Sequence, residues 1–198
     1  MPSPVKPVVL CDVGANADCK PEYLVQFAKM ASEYARVVIG VENPRVGLLN
    51  IGEEEEKGSQ FAQTAHQLLK EELDNFDGNA EGRDVLAGTF DVIVCDGFTG
   101  NVCLKTIEGT AKVLFSELKG VMMESFVTKI AALALKGGLK KLASSVDPDL
   151  AGGAPLLGVK GACIVGHGSS NATAVKNGVQ AAATYVRSGV SELIAQTV

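Results

Sequence analysis

The chain has 198 residues, 46% of them hydrophobic, and a formal net charge of -5. That length fits one large domain or two small ones with a sizeable core. The acidic balance excludes nucleic acid as the main partner, because binding a phosphate backbone needs a dense excess of lysine and arginine. Five cysteines (Cys11, Cys19, Cys95, Cys103 and Cys163) occur without CxxC spacing. An odd, scattered set argues against a disulfide framework and for reduced thiols in a cytoplasmic protein. No apolar run approaches the roughly 18 residues of a membrane span, and the opening MPSPVKPVVLCDVG lacks a signal-peptide core.

In chain order, Val8–Cys11 reads as a short buried strand ending at Asp12, followed by a glycine- and asparagine-bearing loop to Lys20. Pro21 opens a helix whose Tyr23, Leu24, Phe27, Ala31 and Tyr34 recur at helical spacing. Val37–Val41 is a loop or a short extension of it. Arg45–Ile51 (RVGLLNI) is a second apolar run between turn signals, and Phe61, Ala65, Leu68, Leu69 and Leu73 then give another helical face. The Glu53–Glu56 run is expected as a solvated loop or first helical turn, and His66 as structural or exposed.

Asp91–Cys95 (DVIVC) is a third buried strand, followed by Asp96-Gly97, Gly100 and a helix from about Asn101 to Lys119. A basic, apolar helical stretch covers about 121–143. Beyond a DPDLAGGAP loop, Leu156–Val159 and Cys163–Val165 read as short strands, and His167-Gly168-Ser169-Ser170 follows directly. Asn171–Val198 reads as helix, broken near Gly189 and capped by Ser170 or Asn171. Strands alternating with helices predict an α/β fold with ligands at the strand C-terminal ends.

Four loops carry the chemistry: DVGAN (Asp12–Asn16), NIGEE (Asn50–Glu54), CDGFTGN (Cys95–Asn101) and GHGSS (Gly166–Ser170). Each follows an apolar strand, and their glycines let backbone N–H groups approach an anion. GHGSS places a histidine, two hydroxyls and several amides at one strand-to-helix turn, an arrangement suited to cradling phosphate or an oxyanion and equally to a capped turn. Lys105 stands one helical turn beyond Asn101, where its ammonium either reaches back over the strand tip or stays at the surface. Asp12 and Asp96 end strands and suit ligand contact or loop capping. No Walker loop, GxGxxG, G-x-S-x-G elbow or zinc ligand set occurs.

The blocks DVGANADCKPEYLVQFA, ENPRVGLLNIGEEEEKG, GNAEGRD, CDGFTGNVCLKT, LAGGAPLLGVKGA and GHGSS resemble, in order and wording, PlsX-type phosphate acyltransferases of fatty acid and phospholipid synthesis. Phosphate acetyltransferases are similar more loosely. The resemblance implies a three-layer α/β/α fold of the phosphate acetyltransferase/isocitrate dehydrogenase kind. It also implies a homodimer with its active cleft between two parts, and neither metal nor redox cofactor. It implies transfer of a fatty acyl group from acyl-acyl-carrier-protein to inorganic phosphate. The family's N-terminal region is absent, so residues 1–198 are expected to form the C-terminal portion of the fold.

On this reading phosphate sits against the GHGSS backbone, Gly168, Ser169, Ser170 and Asn101, with Lys105 balancing charge. His167 takes a proton from phosphate or donates to the tetrahedral oxyanion. Asp12, Asn16, Asn50, Asp96, Gly97 and Gly100 complete the expected substrate-binding set. Two other readings stand beside it: an enzyme using acyl-coenzyme A, and a noncatalytic membrane- or carrier-binding module.

Phe126, Val127, Ile130 and Leu133 share one helical face, with Lys129, Lys136 and Lys140 on a neighbouring one. From Ser125 to Val146 there are lysines but no acids. This contrast fits a peripheral membrane contact or a basic dock for an acidic carrier protein, and equally a helix in a dimer interface. Gly137-Gly138 is expected to end or bend that helix.

Overall fold

The computed structural model of the chain describes residues 1, 3, 5–144, 152–168 and 170–198. In chain order they form β1 (Val9–Cys11), α1 (Pro21–Tyr34), β2 (Val46–Leu49), α2 (Gln60–Glu72), β3 (Phe76–Ala80), β4 (Val92–Val94), α3 (Gly97–Met122), α4 (Phe126–Ser144), β5 (Ala154–Pro155), β6 (Ile164–Val165), α5 (Ala172–Ser188) and α6 (Val190–Thr197). β1 to β4 make one parallel sheet in the order β1-β4-β2-β3, and β5 and β6 a separate antiparallel pair.

The sheet is buried on both faces, as parallel sheets are, and side-chain alternation sorts its residues into two cores. Val46, Leu48, Val92 and Val94 face α1, α2 and α6, meeting Leu24, Ala28, Leu69, Val190 and Ile194. Leu10, Ile93 and Cys95 face the other way, towards Val85, Phe90 and, from α3, Cys103 and Ile107. Helices on both faces of a parallel sheet bear out the α/β fold that the strand–helix alternation predicts and make the three-layer α/β/α architecture that the resemblance implies. Gly47 belongs to the second face: a Cβ there would stand 2.8 Å from the Phe90 ring, so the glycine lets that ring lie flat on the sheet.

Several elements depart from expectation for local reasons. β3 was not anticipated, because FDGNA carries three poor strand formers; it exists as an edge strand paired only with β2. α3 begins at Gly97 rather than Asn101, because Asp96 caps it there, and it runs to Met122. The 121–143 stretch is therefore two helices. Ser125 and Thr128 start the second reciprocally: the Thr128 amide donates to Ser125 Oγ at 3.1 Å, and the Ser125 amide to Thr128 Oγ1 at 3.0 Å. α4 does not end at Gly137-Gly138 but continues to Ser144.

The region after α1 is an extension, a π-type turn over Ala35–Ile39 closed by Gly40 at φ 86°. Leu156–Val159 is not a strand. Gly158 there turns at φ 77°, with Met30 of α1 so near that a Cβ would stand 2.9 Å from its Sδ, while Leu157 packs into the first core. Of the DPDLAGGAP loop, 147–151 lie outside the described residues. The C-terminal helix breaks at Gly189 (φ 68°), and its cap is Asn171, which accepts from the Thr173 and Ala174 amides.

Candidate functional site

The loop after β1 is wound around one carboxylate. Asp12, 7% exposed, accepts the Gly14 and Ala15 amides on Oδ1, both at 3.0 Å. Its Oδ2 accepts the Asn16 amide at 2.6 Å and the Asn16 side-chain amide at 3.0 Å. Four donors satisfy a carboxylate, so Asp12 and Asn16 shape the loop. The loop's own carbonyls are fastened in turn: the Gly97 amide donates to Asn16 O at 2.8 Å, and the Cys19 and Cys95 thiols point at Asn16 O and Asp12 O at 3.3 and 3.5 Å.

The loop after β4 meets it. Asp96 accepts the Thr99 amide at 2.9 Å and the Thr99 hydroxyl at 2.6 Å, starting α3. Gly97 and Gly100 are both buried against the first loop; a Cβ on Gly97 would stand 2.6 Å from Asn16 O. Asn101, exposed on the first turn, lies over Gly14, whose hypothetical Cβ would be 3.7 Å from the asparagine's Cβ. Gly14, at φ 122°, is where the backbone stays open beneath that amide. Lys105, one turn further, does not turn back over the strand tip; its ammonium pairs with Glu108 at 2.7 Å.

The loop after β2 is pinned by side-chain amides. Asn50 donates from Nδ2 to Lys57 O at 3.0 Å and accepts the Ile51 amide on Oδ1 at 2.8 Å, closing the loop on itself. Asn79 of β3 donates to Glu54 O at 2.7 Å, and its Oδ1 meets Nδ1 of His66 at 2.9 Å. The amide orientation makes that imidazole nitrogen the donor. His66 is 3% exposed and packs edge-on against Phe76, with ring centroids 5.0 Å apart, so it is structural and buried.

α2 leaves β2 on one sheet face and α3 leaves β4, its neighbour, on the other, so the two loops diverge and leave a crevice at the switch point. The crevice holds about 280 Å³, and Leu24, Leu48, Phe61, Asn50, Ser59 and Thr99 are among its walls. A second depression, near 370 Å³, lies outside it between Glu53, Glu54, Glu81 and Arg83. Its three carboxylates disfavour an anionic ligand.

Three of the four expected loops thus adjoin one another. Among the described residues, the walls of the crevice include none of Gly166, His167, Gly168 or Ser170. Gly166, His167 and Gly168 are exposed between β6 and α5, Ser170 is half-buried with its amide donating to His167 O at 3.0 Å, and Ser169 lies outside the described residues. Among the described residues no group of three or more His, Cys, Asp or Glu is placed to hold a metal.

α3 and α4 carry an apolar surface into solvent. Phe126, Val127, Ile130 and Leu133 are exposed, Phe126 to 78%, together with Val113, Leu114 and Val121 of α3; Lys129, Lys136 and Lys140 are exposed beside them. Among the described residues no helix is long and apolar enough to cross a membrane.

Sequence reasoning missed the His66–Asn79 pair and the part of Lys57 in closing the Asn50 loop. The available signal was the spacing of His66 one residue after Ala65 and three before Leu69, which puts it on the buried face of α2.

A family model described as fatty acid synthesis protein matches residues 1–193. The chain is 48% identical over 194 residues to a phosphate acyltransferase of Campylobacter jejuni, covering 98% of this chain and 59% of that protein. It is 50% identical over 192 residues to a phosphate acyltransferase of Halothermothrix orenii, covering 96% and 58%. A third similar protein, a phosphate acyltransferase of Nitratidesulfovibrio vulgaris, is 47% identical over 199 residues, covering 100% and 58%. The chain spans about three fifths of the length of these curated relatives.

Proposed function

Because the chain belongs to the fatty acid synthesis protein family, we propose that it carries catalytic loops of an acyltransferase that moves a fatty acyl group from acyl-acyl-carrier-protein to inorganic phosphate. The product is an acyl phosphate for phospholipid synthesis. The observation that carries this reading is the locking together of DVGAN and CDGFTGN, with Asn101 held over Gly14 at the strand tips.

A phosphate oxygen attacks the thioester carbonyl carbon; the C–O bond forms, the C–S bond breaks and the thiolate leaves. Phosphate is already a nucleophile near neutral pH, so positioning and charge stabilisation dominate. Asn101 donates to phosphate or to the carbonyl oxygen. Gly168, Ser169 and Ser170 offer further donors, and His167 takes the phosphate proton or donates to the oxyanion. Lys105 balances charge after releasing Glu108. Asp12, Asn16, Asn50 and Asp96 act by holding the loops, while Gly97 and Gly100 let them close on each other. The protein works as a cytoplasmic homodimer without a cofactor.

The test is phosphate-dependent thiol release from palmitoyl-carrier protein, by this chain and by the chain joined to the N-terminal region of a relative. Turnover that falls at least tenfold in Asn101→Ala supports the reading. Absence of turnover from both proteins overturns it.

The exposed apolar face of α4 beside Lys129, Lys136 and Lys140 supports peripheral binding to an anionic membrane. Sedimentation with anionic vesicles should fall in Phe126→Glu and with neutral lipid; indifference to both would remove the membrane from the proposal.

A further inference from the structure

The crevice between the β2 and β4 loops is a different chemical environment from an anion site. No lysine or arginine is among its lining residues, and its one carboxylate, Asp96, is engaged by Thr99. Its floor is apolar, with Leu24 and Leu48 at 0 and 1% exposure. Its polar groups are the neutral Asn50, Ser59 and Thr99. At about 280 Å³ it lies just below the roughly 300–1,000 Å³ range of small-ligand pockets, so it suits a short organic segment. At its mouth Ile51 is held 80% exposed by a loop that Asn50 staples, an apolar side chain kept in water beside an apolar floor.

We infer that this crevice receives the neutral, amide-bearing pantetheine-type arm of the thioester donor, an inference that rests on the acyl-transfer reading above. Inorganic phosphate would find no cation among the lining residues and a carboxylate in the wall. A long acyl chain would leave unused the hydrogen-bonding capacity that remains on Asn50, Ser59 and Thr99, each already partly engaged within the protein. A pantetheine arm has methyl groups for Ile51 and the leucine floor, and amide and hydroxyl groups for Asn50, Ser59 and Thr99. Thr99 is two residues before Asn101 on the same helix, so an arm seated here would deliver its thioester towards the Asn101–Gly14 contact.

The experiment is isotope-edited NMR titration of the full 198-residue chain with pantetheine, inorganic phosphate and octanoate in separate arms, alongside the thiol-release assay. Pantetheine is expected to shift the amides of Ile51, Ser59, Phe61 and Thr99. Ala62→Phe, which fills the crevice from α2, should weaken its binding at least tenfold, and Ile51→Ser, a change at an exposed position that leaves the core untouched, about threefold. Phosphate should leave these amides in place. Shifts at them with phosphate or octanoate but not pantetheine would overturn the assignment, as would unchanged pantetheine affinity in both variants. Turnover without pantetheine shifts overturns the crevice assignment and leaves acyl transfer standing. Pantetheine binding here with no turnover by either this chain or the chain joined to a relative's N-terminal region sinks the acyl-transfer reading and leaves the ligand site.

Discussion

A Cβ placed on Gly100 would stand 1.9 Å from the backbone oxygen of Asp12 and 2.9 Å from Sγ of Cys95. The first turn of α3 therefore lies directly on the end of β1, and only a residue without a side chain allows it. Ordinary overpacking costs about 1–3 kcal/mol, and here the obstacle is main chain, so Gly100→Ala should lose at least about 3 kcal/mol. Gly109, further along the same helix, has nothing within 4 Å of its would-be Cβ, and Gly109→Ala should gain about 0.5–1 kcal/mol. Urea denaturation of the two variants checks both signs; equal stabilities would contradict the packing.

Asp12→Ala removes the acceptor for three consecutive loop amides and the Asn16 side chain. With hydrogen bonds to charged groups at about 1.5–3 kcal/mol each and partial rescue by water, a loss of about 3 kcal/mol is expected, less in Asp12→Asn. Hydrogen exchange at Gly14, Ala15 and Asn16 should accelerate in the alanine variant. Unchanged exchange there would mean that the loop holds its shape by other contacts.

His66 and Asn79 form a buried pair that reaches Glu54 O. A double-mutant cycle with His66→Phe and Asn79→Ala should give a coupling energy of about 1 kcal/mol, each single change costing about 1–3 kcal/mol because it strands the other polar group. Purely additive losses would show that the bond contributes nothing of its own.

Two thiols should make the fold sensitive to alkali. Burial pushes Cys11 up to about 12 from the ordinary 9.0, helped by Asp12 and Cys19, and burial also raises Cys95, 2% exposed. The folded chain keeps these protons after the unfolded chain has released them. The stability they contribute is complete below about pH 9 and is lost as pH climbs towards 12, by about 1.4 kcal/mol per pH unit per thiol. Cys11→Ala should flatten the decline measured between pH 9 and 10.5 by close to one proton. An identical slope would show that Cys11 titrates normally.

Most of the α/β plan was legible because its signals are local. DVIVC announces a buried strand, and the Leu24, Phe27 and Ala31 spacing announces a helix face. β3 was not legible, since Asp77, Gly78 and Asn79 oppose strand formation when read alone, and pairing with β2 overrides them. Sequence position left Lys105 either reaching back over the strand tip or lying at the surface, and its ammonium pairs instead with Glu108, three residues on, at 2.7 Å.

The sequence by itself determined the order and type of most elements, the family wording of six blocks and the apolar-basic character of α4. Only the tertiary structure decided that β4 lies between β1 and β2, that Asp12 turns its carboxylate onto its own loop, and that His66 reaches Asn79. Periodicity reports which face of an element is buried and nothing about which distant strand or side chain will cover it. Those choices follow from packing and hydrogen-bond satisfaction across the whole chain.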